Sequence, residues 1–275
     1  MPNGFARLRR FGTLILLTAL LVACATSPTG RRQLMLVSEQ EAINASKQAY
    51  VQMLAPLAKE GRIDSDPTLT RRVRRITDRL IVQAERMRPE TRNWEWSVKV
   101  IDDPQTVNAW CMAGGRMAIY TGLIQQLKPT DDELAQVMGH EIAHALANHT
   151  AEKMSVALAT MVGITAVGVA AGEEHRGAAL AGAALAAKLA VELPNSRTTE
   201  AEADRIGIEL AARAGYDPRA AVTLWEKMSR LGGGRVPEFL STHPAPENRI
   251  ETLRALVPKM IPLYEAARQT DGQRR

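Results

Sequence analysis

Apolar positions in this chain recur mostly at helical spacing, with one short stretch that alternates instead. Ser38 with Glu41 three residues on forms a capping box, and Ala42, Ile43, Ala45, Ala49, Tyr50, Met53 and Leu54 follow on one stripe. Gly61 and Asp64-Ser65-Asp66-Pro67 interrupt that helix. Asp66 as N-cap with Pro67 at the first position predicts a second helix to about Met87, stopped by Pro89. Trp94 to Ile101 alternates and is rich in Trp and Val, which predicts a strand. Val107 to Met112 and Arg116 to Tyr120 flank Gly114-Gly115 and predict a hairpin in a small sheet. Thr130 as N-cap with Glu133 at N3 then opens a helix that carries Leu134, Val137 and Met138.

Ser155 to Val191 is Ala- and Gly-rich, with a polar break at Glu173 to Arg176. It predicts a helical hairpin, packed either in the core or into a membrane surface. A helix is expected from near Glu200, another from Asp217-Pro218 through Met228, and a last one over about Glu247 to Val257. Gly232 to Gly234 is a break, and neither an internal repeat nor an independent second domain is evident.

Composition supports this mainly helical picture. Hydrophobic residues make up 45 % of the 275 positions and aromatics only 4 %. Ala and Leu favour helix, and strand formers are sparse. The length suffices for one sizeable core. The net charge is +5, and its densest cluster is Arg71, Arg72, Arg74, Arg75 and Arg79. That spacing spreads the arginines around a helix, so a solvated face is expected and no nucleic-acid partner.

Residues 1–23 read as a targeting segment. Arg7, Arg9 and Arg10 precede an apolar run from Leu14 to Val22, too short for a typical span. Leu21-Val22-Ala23-Cys24 resembles a lipobox, which implies cleavage before Cys24 and its lipidation; an ordinary signal peptide or an uncleaved anchor, with an incidental Cys, is the alternative. Losing residues 1–23 removes three Arg and no acid, which leaves +2. Cys111 is then the sole thiol, so no internal disulfide can form. Residues 24–37 are expected to be a lipid-anchored tether with a turn at Thr26 to Arg32. The implied address is periplasmic, and Ala25 after the Cys leans toward the inner leaflet of the outer membrane.

The chemistry centres on His140-Glu141-Ile142-Ala143-His144. Residues four apart on a helix lie nearly one above the other, so both imidazoles can reach one zinc ion. Glu141 can then act as general base on a water held there. A catalytic zinc takes three protein ligands and keeps one open position. His149, His175, His243 and downstream carboxylates are the candidates for the third. His149 is nine residues from His140 on the same helix, which places it on the opposite face, so it is not a ligand. Glu200 and Asp204 share one helical face, Glu200 able to ligate and Asp204 able to accept the second N–H of a ligand His. Taken alone, an acidic first turn favoured by the helix dipole is the simpler account of these acids.

Several ordered blocks together resemble the gluzincin metallopeptidases of the HtpX and CAAX prenyl protease type. They are Thr29 to Arg32, Val107 to Leu123, His140 to His149, Glu200 to Gly207 with its ExxxD pattern, and Thr242-His243-Pro244 through Arg249. The resemblance covers roughly residues 26 to 257. It lies nearest the small periplasmic lipoprotein proteases LoiP and YcaL and the catalytic domain of BepA, since no helical-repeat domain follows residue 257.

The resemblance implies an α+β, mainly α, zincin-like domain over 38–260 with a C-terminal tail at 261–275. It implies a small sheet whose edge strand borders one zinc ion per chain. It makes Glu200 the third ligand beside His140 and His144. Asn108, Ala109, Gly114 and Gly115 match the substrate-binding edge strand and turn, with Ala113 where a Pro is common in the family. His243 and Arg249 match residues that approach the substrate and would steady its oxyanion. A zinc metalloendopeptidase acting on unfolded or misassembled envelope proteins is the expected function, with a possible link to outer-membrane assembly machinery. Two alternatives stay open. In one the protein is a latent protease acting as chaperone or scaffold, with His243 covering the zinc. In the other it binds zinc without hydrolysing peptides, which the intact base Glu141 argues against.

Overall fold

The computed structural model describes residues 24–170, 196–231, 238–244 and 248–272. The targeting segment 1–23, the second limb of the predicted hairpin (171–195) and His175 lie outside the described residues.

The chain divides into two compact units. The smaller comprises Met1–Ser38 and Ala151–Glu192. Here the expected tether is an ordered antiparallel pair, β1 (Cys24–Thr26) and β2 (Arg32–Leu34), with Cys24 opposite Leu34. The predicted turn closes it: Ser27 N–H donates to Arg31 C=O at 2.8 Å. Arg31 makes a two-pronged ion pair with Glu152 at 2.7 and 2.6 Å, and Gln33 donates to the same carboxylate. These contacts fix a stretch whose Gly and Pro alone suggested a loose linker.

The larger unit, Glu39–Thr150 with Leu193–Arg275, contains both halves of the metal motif. Helices α1 (Glu39–Lys59) and α2 (Pro67–Met87) start close to where their caps predict. The Asp66 carboxylate accepts from the N–H groups of Thr68 and Leu69. The arginines of α2 tie down their surroundings: Arg72 and Arg75 reach Asp131, Arg74 reaches Asp64, and Arg79 donates to the Ala214 carbonyl. A 3-10 turn (Pro89–Asn93) leads to β3 (Ser97–Ile101), then β4 (Ala109–Met112) and β5 (Arg116–Tyr120). The sheet order is β3-β5-β4, with β3 parallel and β4 antiparallel to β5. β4 is therefore an edge, and β5 fills the centre after the hairpin. Tyr120 N–H donates to Asn108 C=O, so the ladder alternation aims the backbone groups of Ala109 and Cys111 away from β5.

After α3 (Thr121–Leu127) comes α4 (Asp131–Leu146), opened by the predicted reciprocal capping box of Thr130 and Glu133. Every residue of α4 from Glu133 on is buried, ringed by α2, β4, α6 (Arg197–Arg213) and α7 (Ala220–Arg230). α6 is its main neighbour. A Cβ on Gly207 would stand 2.8 Å from His140 N, and one on Gly139 2.9 Å from the Gly207 carbonyl oxygen. Two glycines thus let the backbones nearly touch where the site is built.

Helix α5 (His149–Ala170) begins in this unit, α8 (Glu238–Thr242) is short, and α9 spans Arg249–Gly272. The sequence predicted an end to the last helix near Val257 and a tail from 261. Instead α9 continues through Pro258 and Pro262, because Leu256, Val257, Met260, Leu263 and Tyr264 pack on the core. That burial outweighs the hydrogen bonds the two prolines remove. No described helix is long and apolar enough to cross a membrane.

Candidate metal centre

His140, His144, Glu200 and His243 converge. One ligand atom from each lies within 4.8 Å of the others, and all four side chains are buried. His140 and His144 come from successive turns of α4, Glu200 from the first turn of α6, and His243 from the residue after α8. The Nε2 atoms of His140 and His144 are 3.1 Å apart, and each is 3.3 Å from a Glu200 oxygen. Glu200 is fully buried, yet neither carboxylate oxygen has a hydrogen-bond partner of good geometry. Two imidazole lone pairs and an unsatisfied carboxylate aimed at one point are costly unless a cation lies between them. This donor set, two N and one O, fits zinc.

The electrostatics follow from burial and neighbours. Burial works against a charged His140, but Glu200 and then Asp204 overcome it and raise its pKa to about 9. Burial pushes His144 down to about 3, with His140 and His149 adding to the effect against the pull of Glu200. Glu200 would be raised by burial, yet His140 and His144 hold it below the usual carboxylate range. Glu141 likewise stays low because His243, His140 and His144 offset its burial. Its Oε1 lies 3.5 Å from His243 Nε2 and has no hydrogen-bond partner.

Asp204, one turn after Glu200, sits 3.0 Å from His140 Nδ1, where it can accept the second ring N–H. Arg249 is placed differently from the expectation. Its Nη2 donates to Asp204 at 2.6 Å, its Nη1 is 3.3 Å from Glu200, and its guanidinium lies 3.4 Å from the Trp225 ring centroid. It therefore backs the carboxylates rather than facing Glu141 and His243. His243 stacks on Phe239 at 4.4 Å, and its Nδ1 lies 3.1 Å from the Phe239 carbonyl.

Asn108 immediately precedes β4. Its Oδ1 accepts from Ala109 N–H and its Nδ2 donates to Glu238. Gly114 and Gly115 have φ of +86° and +83°, and a Cβ on either would strike Ile43 or Trp96. Their need for glycine is the turn and this packing. Cys111 on β4 is buried, and burial with nearby Glu141 raises its thiol well above the ordinary range.

His149 was expected to share the helix of the motif and face away. Asn148 instead takes a left-handed conformation at φ 56°, which ends α4 and turns the chain. His149 Nδ1 then comes within 2.8 Å of His144 Nδ1, and its Nε2 lies 3.2 Å from Glu202. Neither His149 nor Glu202 was singled out from sequence as part of the site. The available signal was Asn at a helix end just before a histidine.

The model of peptidase family M48 matches residues 67–257. The chain is 32 % identical over 273 residues to the mitochondrial metalloendopeptidase OMA1 of Bos taurus, covering 95 % of this chain and 51 % of that protein. It is 34 % identical over 179 residues to mitochondrial metalloendopeptidase OMA1 of Saccharomyces cerevisiae, covering 62 % and 50 %. A putative beta-barrel assembly-enhancing protease of Vibrio cholerae matches at 30 % over 224 residues, covering 78 % and 44 %. The chain spans about half the length of these curated relatives.

Two expectations change. The gluzincin resemblance and its BepA side hold, but nothing among these relatives singles out the HtpX type or LoiP and YcaL. The periplasmic outer-membrane address is also overturned. Mitochondrial metalloendopeptidases match at 31–39 % identity, above the 29–30 % of the bacterial proteases. An Arg-rich, acid-poor N-terminus is common to several kinds of targeting segment, so its composition does not fix the compartment.

Proposed function

This chain belongs to peptidase family M48, and on that premise we propose that it is a zinc-dependent endopeptidase. The carrying observation is the buried convergence of His140, His144 and the otherwise unsatisfied Glu200 beside Glu141. His140, His144 and Glu200 would hold the ion. When bound, zinc supplies Lewis acidity toward the scissile carbonyl and lowers the pKa of water.

The remaining chemistry belongs to side chains. Glu141, kept ionised by its imidazole neighbours, accepts a proton from the attacking water and passes it to the leaving amine nitrogen. Asp204 holds the His140 ring with Nε2 toward the ion, and Arg249 holds Asp204 and Glu200 in place. With Nδ1–H given to the Phe239 carbonyl, His243 can donate from Nε2, near Glu141, to the developing oxyanion when its ring carries both protons. A substrate would pair in extended form along β4, taking over the Ala109 N–H that Asn108 Oδ1 holds in the free protein. Because only extended backbone can add to an edge, unfolded or misassembled proteins are the substrate class. The name beta-barrel assembly-enhancing protease, borne by two relatives, supports that class. Chelation should abolish cleavage of an unfolded protein and zinc should restore it; undiminished cleavage by metal-free protein would overturn the proposal.

A second reading is favoured by the inclusion of His243 in the four-group cluster. If its imidazole occupies the fourth position, the enzyme is latent and acts at rest as a chaperone or scaffold. His243→Ala should then raise basal cleavage; a fall would instead assign His243 to oxyanion support.

A further inference from the structure

We propose that His149 and Glu202 are positioning residues that fix the tautomer and orientation of His144. This rests on the zinc-site reading above.

The two motif histidines need the same service. Each must present an Nε2 lone pair to the ion, so each must carry its proton on Nδ1, and that proton needs an acceptor. His140 finds one in Asp204. Among the described residues, His144 has no carboxylate at its Nδ1. It has His149 Nδ1 at 2.8 Å, with the two ring planes at 68°. With His144 Nε2 turned to His140 and Glu200, its Nδ1–H donates to His149 Nδ1. His149 then carries its own proton on Nε2, which lies 3.2 Å from Glu202 Oε2. All hydrogens in the series Glu202, His149, His144 thus run one way, and each member is buried.

The backbone delivering His149 is itself braced. The left-handed turn at Asn148 is held by a hydrogen bond from its side chain to Glu39 and by Arg88, which donates to Leu146 C=O and to Asn148 Oδ1. Glu39 and Arg88 pair with each other at 2.5 Å. Two residues after Glu200, Glu202 ends this series, and two further on Asp204 orients the other ligand. One short run of α6 therefore supplies a ligand and the carboxylate that steadies each histidine.

The test is zinc affinity by chelator competition, with metal-free thermal melting as a control for folding. His149→Ala should weaken zinc binding by about 10–100-fold, the usual effect of losing such an outer partner. His149→Asn should recover much of it, since the amide oxygen stands where His149 Nδ1 does and can accept from His144. Glu202→Ala should weaken binding less than His149→Ala. In the zinc-loaded wild type, 15N NMR should show His144 bound through Nε2 and His149 protonated on Nε2. Equal zinc affinity in a folded His149→Ala protein, or Nδ1 ligation by His144, would overturn the proposal. Should His149→Ala not fold, the wild-type NMR tautomers decide alone. Wild-type protein that binds no zinc would instead refute the zinc-site reading itself.

Discussion

At the scale of single residues, Glu200 is the position where burial and chemistry conflict most. A fully buried carboxylate with no well-formed hydrogen bond is costly, and on the zinc-site proposal a cation would complete it. Glu200→Gln removes the charge and keeps the shape. Zinc affinity should fall by more than the about 10–100-fold expected for an outer partner, as metal analysis after dialysis would report; full occupancy would remove Glu200 from the ligand set. The convergence of His140 and His144 was legible in sequence because residues four apart on a helix share a face. Glu200 and Asp204 were legible only beside the family pattern, since an acidic first turn has a plainer explanation. His149 was hidden because its position depends on the left-handed turn at Asn148, and a spacing rule that extends one helix past that point places the ring on the wrong side.

Among the elements, the contact between α4 and α6 sets the site. Gly207→Ala would drive a Cβ into His140 N and force the two helices apart. The expected cost is about 1–3 kcal/mol, as for other overpacked interiors, with a lower melting temperature and weaker zinc binding together. At Gly163, where a Cβ meets nothing within 4 Å, the same substitution should leave stability unchanged or slightly higher. The cap of α4 gives a pH test. Burial raises the Glu133 pKa, but Lys227, Thr130 and Thr223 more than offset it, so the folded value is depressed. Its contribution to stability is therefore present above its ordinary value of 4.5 and is lost as pH falls through the folded value. Melting temperatures of wild type and Glu133→Gln should differ most above that pH and converge in acid; a gap that widens in acid would contradict this. Cap chemistry made α2 and α4 readable in advance. The length of α9 was not, because two prolines argue locally for a stop while packing on a distant core decides otherwise.

For the whole molecule, a mainly helical frame carries a three-stranded sheet whose edge strand lies beside the motif helix. The sheet itself was legible from alternation and Gly-Gly, but its order was not. Placing β5 between β3 and β4 requires the chain to leave a gap and return to fill it, which no local pattern encodes. That return leaves β4 at the edge of the sheet, packed beside the motif helix. The proposed peptide hydrolysis rests on family membership and this geometry, and it assigns the proton transfer to Glu141. The most direct measurement compares wild type and Glu141→Gln for zinc content and for cleavage of an unfolded protein. The variant should keep its zinc and cleave at least about 10²–10⁴-fold more slowly, the range for removing a general base; cleavage at the wild-type rate would contradict the account.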